Sequence, residues 1–149
     1  MNEMIFLIRL SFGMALMAFS IWDLENKRLP VFPIFYLLAA GILFACMKDV
    51  EDLQNTLLGV GMGLLLCAVS RLTGGSIGMG DGLLALLMGL YMGGIFTFLC
   101  LCFAFLFSAL AAICLICLKK KGKKDSLPFI PFMLAGYIMA NWIQGGWIL

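Results

Sequence analysis

Apolar residues along the chain fall into six runs, at about 4–22, 31–47, 55–72, 81–93, 95–118 and 128–148, parted by short polar connections. A helix crossing a hydrocarbon core of about 30 Å needs some 20 residues, and these runs reach or approach that length. The pattern therefore predicts an all-α polytopic membrane protein with about six transmembrane helices. The connections hold most of the charge: Asp23, Glu25, Lys27 and Arg28; then Lys48, Asp49, Glu51 and Asp52; then Arg71; none at Gly93-Gly94; and finally Lys119, Lys120, Lys121, Lys123, Lys124 and Asp125. Ala18-Phe19-Ser20 has the small-residue spacing of a signal cleavage site. The apolar stretch nevertheless continues through Trp22, so the first run is read as a retained helix.

Composition agrees. The 149 residues are 64% hydrophobic and 12% charged, with a mean hydropathy of +1.11, whereas soluble domains are about half apolar and a quarter charged. So short a chain could not hide that many apolar side chains from water in a core of its own. A single membrane domain, 1–149, is expected. The formal charge of +2, with no basic stripe interleaved with aromatics, speaks against nucleic acid as a partner. Histidine is absent, which removes catalytic triads, imidazole bases and most catalytic zinc sites. The six cysteines lie in apolar runs, where thiols pack as small hydrophobes, and Cys114 and Cys117 lack the further ligands a metal site needs. Neither a metal nor a cofactor is expected.

Lysine and arginine mark the topology. The first, third and fifth connections carry two, one and five of them, the second and fourth one and none, so the odd connections are expected in the cytoplasm and both termini outside. Arg9, near the outer end of the first span, is expected to extend its stem to the interface. Gly59…Gly63 and Gly89…Gly93 carry the GxxxG spacing that lets helices approach closely, read here as packing within the chain.

Two carboxylates stand apart from the rest. Asp23 directly follows the first apolar run and Asp81 directly precedes the fourth, on the same predicted side. From Asp81 to Gly94 there are 14 residues, a helix rising about 21 Å, so Asp81 is expected below the interface, where an acidic group marks a functional site. Its approach, Thr73-Gly74-Gly75-Ser76-Ile77-Gly78-Met79-Gly80, is too glycine-rich for an easy helix and predicts a hydrated cavity in its place. Two carboxylates that meet share one proton, and such a pair can deprotonate water with one member and protonate a leaving amine with the other. That chemistry hydrolyses a peptide without histidine, metal or serine.

Ser20-Ile21-Trp22-Asp23-Leu24-Glu25-Asn26-Lys27-Arg28-Leu29-Pro30 resembles the segment around the first catalytic aspartate of type IV prepilin peptidases, where Leu/Ile-Pro follows the aspartate. Gly78-Met79-Gly80-Asp81 is similar to their GxGD motif, and Pro128-Phe129-Ile130-Pro131-Phe132 to the start of their last membrane helix. The resemblance implies an intramembrane aspartyl protease. It would remove the basic leader of prepilin or pseudopilin-like precursors at the cytoplasmic face of the cell membrane, cutting after a glycine that ends the leader. Asp23 and Asp81 carry over as the catalytic pair, with Gly78, Gly80 and Pro30 as motif positions around them. The chain departs from the family at Leu83, where many members carry lysine, and at Gly75-Ser76-Ile77, which lacks an acidic residue. It resembles a peptidase-only form without an N-terminal methyltransferase domain. The expected partners are precursor substrates and the lipid bilayer, and the oligomeric state stays open.

Two rivals belong to other classes. Intramembrane carboxylates and broken helices also mark proton-coupled transporters or channel components, although this chain shows no inverted repeat. A non-catalytic assembly protein of a pilus or secretion system is the other.

Overall fold

The computed structural model describes residues 2–26, 31–46, 48–73, 78–118 and 128–145. All regular structure among them is helical: α1 (Asn2–Asn26), α2 (Val31–Cys46), α3 (Val50–Leu72), α4 (Met79–Met92), α5 (Gly94–Cys117) and α6 (Ile130–Ile143). Each of the six apolar runs is one helix. Three stretches, Phe6–Glu25, Asp52–Leu72 and Gly94–Cys117, are long and apolar enough to cross a membrane, whereas Phe32–Cys46, Met79–Met92 and Ile130–Ile143 are shorter. Long and short helices therefore alternate along the chain. Many large apolar side chains point away from the protein, Phe32 at 91% exposure among them, which suits a hydrocarbon solvent and not water.

Local sequence sets the helix ends. Pro33 falls in the first turn of α2 and Pro131 in that of α6, where a missing N–H costs nothing because that N–H has no helical acceptor. Between α4 and α5 the chain turns on one residue, Gly93, at φ 83°, a conformation that glycine adopts without a Cβ clash. The first N–H groups of α5 then lack helical acceptors. Asn55 of α3 supplies one: its Oδ1 accepts from the N–H of Gly94 at 2.9 Å and of Ile95 at 3.2 Å. Thr97 Oγ1 closes the turn by donating to the Gly93 carbonyl at 2.7 Å.

Helix α4 is the hub, packed on α2, α3 and α5, while α6 joins α5 to α1. The α3–α4 seam is built from small residues four apart. Gly59, Gly63 and Cys67 of α3 face Gly89, Leu86 and Gly82 of α4, and a Cβ added at any of the four glycines would come under 3.0 Å from the opposing helix. The GxxxG spacing thus serves packing within the chain, as expected. Leu84, Leu87, Met88, Phe96, Met133 and Tyr137 fill the core around that seam.

The guanidinium of Arg9 lies over the Phe96 ring in the first turn of α5, 5.5 Å from the centroid, a cation–π contact, and its Nε is buried without a hydrogen-bond partner.

Candidate active site

Asp81 sits in the first turn of α4, whose N-cap is Gly78. Its backbone N–H donates to the Gly78 carbonyl at 3.1 Å, and its carboxylate accepts from the Gly78 backbone N–H. This is the return half of a capping box, in which an acidic residue three positions into the helix reaches back to the cap. Glycine at 78 leaves room for that reach, since a Cβ there would lie 2.9 Å from Asp81 Oδ2. Asp81 is thereby folded into the bundle at 8% exposure. Gly80 lies between them in the same turn.

Asp23 lies in the last turn of α1. Its carboxylate accepts from the backbone N–H of Ile130, the first residue of α6. The N-cap of α6, Phe129, has no side chain able to do this, so Asp23 satisfies a terminal N–H that would otherwise lack an acceptor. Ser20, one turn earlier on α1, is buried beneath it. Asp23 lies close enough to Asp81 for their charges to interact. Three helix ends thus converge: the C-terminus of α1, and the N-termini of α4 and α6.

The sequence singled out both aspartates and the start of α6, but not the N–H of Ile130 as a partner of Asp23. Pro128 and Pro131 signal a helix start, yet nothing local tells which side chain will meet its free amides. Leu83, at the departure noted above, packs against the core, while the Cys67 thiol abuts Gly82 next to Asp81. Pro30 lies outside the described residues, as do Lys27, Arg28, residues 74–77 and the lysine run at 119–124. Among the described residues, no three His, Cys, Asp or Glu side chains are grouped so as to hold a metal ion.

Asp23 and Asp81 both lie at the ends of apolar helices, Asp23 in the last turn of α1 and Asp81 in the first turn of α4. The sequence model of the type IV leader peptidase family matches residues 10–117, a span that includes both aspartates. The chain belongs to the type IV leader peptidase family. No curated protein and no solved structure matches it. Membership of the type IV leader peptidase family makes the chain a leader-peptidase-like protease, and its long apolar helices make it a membrane protein. The family match ends within α5, so the contact between Asp23 and α6 lies partly beyond it.

Proposed function

We propose that the chain is an aspartyl endopeptidase of the cell membrane, that Asp23 and Asp81 are its catalytic pair, and that it removes the basic leader from prepilin or pseudopilin-like precursors at the cytoplasmic face. The observation that carries this reading is the approach of the Asp23 charge to the buried carboxylate of Asp81. Neighbouring carboxylates hold one proton between them. The ionised member takes a proton from a water molecule, which attacks the scissile carbonyl. The protonated member first donates to the carbonyl oxygen, and a proton then passes to the leaving amine as the C–N bond breaks. Both aspartates end the cycle as they began.

The orientation follows from lysine and arginine in the odd connections, which puts the converging helix ends on the cytoplasmic side together with the basic leader. One domain, 1–149, suffices for this chemistry.

The test is co-expression with a precursor made of a short basic leader, a glycine and an apolar helix, comparing wild type with Asp23→Asn and Asp81→Asn. Wild type removes the leader and both variants lose that activity. Normal processing by either variant would overturn the pairing. A proton flux that depends on Asp81, with no processing by any form, would favour a transporter instead.

A further inference from the structure

A helix of 14 residues such as α4 rises about 21 Å, so its two ends cannot both reach the surfaces of a hydrocarbon layer about 30 Å thick. Asp81 occupies one end. At the other, the last carbonyls have no acceptor role to play within the helix, and away from water they need donors. Lys48, from the connection between α2 and α3, supplies them. Its Nζ donates to the Leu90 carbonyl at 2.9 Å, to the Tyr91 carbonyl at 3.5 Å and to Thr56 Oγ1 at 2.9 Å.

The surroundings of this ammonium are built. Buried Thr56 gives its own proton to the Asp52 carbonyl at 2.8 Å, which leaves its oxygen turned to accept from Lys48. The Phe44 ring lies 5.1 Å from Nζ and stacks on Tyr91 at 6.0 Å between centroids. Tyr91 is held in turn by its hydroxyl, which donates to the Leu37 carbonyl at 2.9 Å. Elements α2, α3 and α4 thus all close on one cation, and a cation at the carbonyl end of a helix also matches the helix dipole.

We propose that Lys48 is a positioning residue for Asp81: by locking the carbonyl end of α4 it sets the axial position of that helix, and so the depth of the carboxylate at its other end. Lys48 touches neither the substrate nor Asp81. Its effect on cleavage rests on the reading of Asp81 as catalytic, whereas its effect on helix position does not.

The experiment therefore has two readouts. Cleavage gives kcat and KM separately. Reaction of Met79→Cys, in a chain whose six native cysteines are replaced by alanine, with a membrane-impermeant maleimide added on the Asp81 side gives the depth of the start of α4. Lys48→Met is expected to change the labelling rate about fivefold and to lower kcat about tenfold with little change in KM, in line with the rate penalty of a small misplacement. Lys48→Arg, which keeps the charge and the donors, restores most of both. Thr56→Val, which removes only the hydroxyl, shifts both in the same direction by less and carries the test if Lys48→Met fails to fold. Wild-type labelling in a folded Lys48→Met protein overturns the proposal, whatever kcat does. Altered labelling in a chain that cleaves no precursor in any form would leave the positioning role standing and remove the catalytic reading.

Discussion

The hydroxyl of Tyr137 donates to the main-chain carbonyl of Arg9 at 2.6 Å, tying α6 to α1 across 128 positions of sequence. Its ring lies between Phe12 and Phe96, at 5.9 and 5.3 Å, and against Gly13. These contacts hold the helix that carries Asp23 beside the helix whose first N–H receives it. Tyr137→Phe keeps the ring and loses the bond, so thermal unfolding in detergent is expected to fall by about 1 kcal/mol. Tyr137→Ala empties the pocket and is expected to cost about 3–5 kcal/mol.

Gly78→Ala separates geometry from stability. The φ of Gly78 is −62°, which alanine adopts freely, so the backbone has no reason to object. The new methyl instead meets Asp81 Oδ2 and pushes the carboxylate from its place. On the proposed role of Asp81, leader cleavage is expected to drop about tenfold, the cost of a small misplacement at a reacting group, with the unfolding midpoint nearly unchanged.

The two faces of α3 predict opposite results for one substitution. Gly63→Ala would press a methyl onto the backbone of Leu86, and such overpacking costs about 1–3 kcal/mol. Gly61→Ala meets nothing within 4 Å and is expected to be neutral or to stabilise by up to about 1 kcal/mol through helix propensity. Thermal unfolding of the pair measures the difference.

At the turn between α4 and α5, Asn55→Ala is expected to cost about 1 kcal/mol, the usual value of a lost cap. Asn55→Asp keeps an acceptor for Gly94 and Ile95 and is expected to retain most of the stability. Gly93→Ala carries both a strained φ, about 1–2 kcal/mol, and a clash with the Asn55 amide. It should be the most damaging of the three by the same measurement.

Lys48 gives a pH dependence with a definite sign. Burial pushes its ammonium down from the ordinary value of 10.5, opposed by the nearby Asp52. Between the lowered and the ordinary value the unfolded chain holds more protons than the folded one, so stability rises with pH across that window. At lower pH the penalty for the half-buried charge is present in full. Comparing wild type with Lys48→Met at about pH 8 and about pH 10, where lysine begins to titrate, isolates this group: the wild type should gain midpoint relative to the variant as the pH climbs.

The fold was legible because hydrophobic length is local information: the runs ending at Trp22 and beginning at Asp81 fall within about one turn of the end of α1 at Asn26 and the start of α4 at Met79. The shortness of α4 was legible for the same reason, and so was the glycine spacing at 59, 63 and 89. What could not be read were the long-range partners. Lys48 looks like one more loop cation until Thr56 and the carbonyls of α4, 42 positions away, are seen around it. Asn55 caps a helix that starts 39 residues later. The sequence shows how far Arg9 lies from the end of its span but not the ring of Phe96 beneath its guanidinium. The candidate site was half visible: the two motifs singled out the carboxylates as candidates, whereas the amide of Ile130 that meets Asp23 belongs to no side chain and leaves no mark in the letters.

The alternation of long and short helices has a consequence for the lipid around the protein. Outer helices α2 and α6, of 16 and 14 residues, do not match an ordinary leaflet pair as α1 and α5 do, so acyl chains beside them must shorten, at fractions of a kcal/mol for each ångström. Headgroups and their hydration are drawn inward there, toward the ends from which Asp81 and Ile130 begin. Bilayers of short-chain lipid meet that demand without deformation and thick, ordered ones resist it, which ties the water supply of a hydrolase to the thickness of the membrane that houses it.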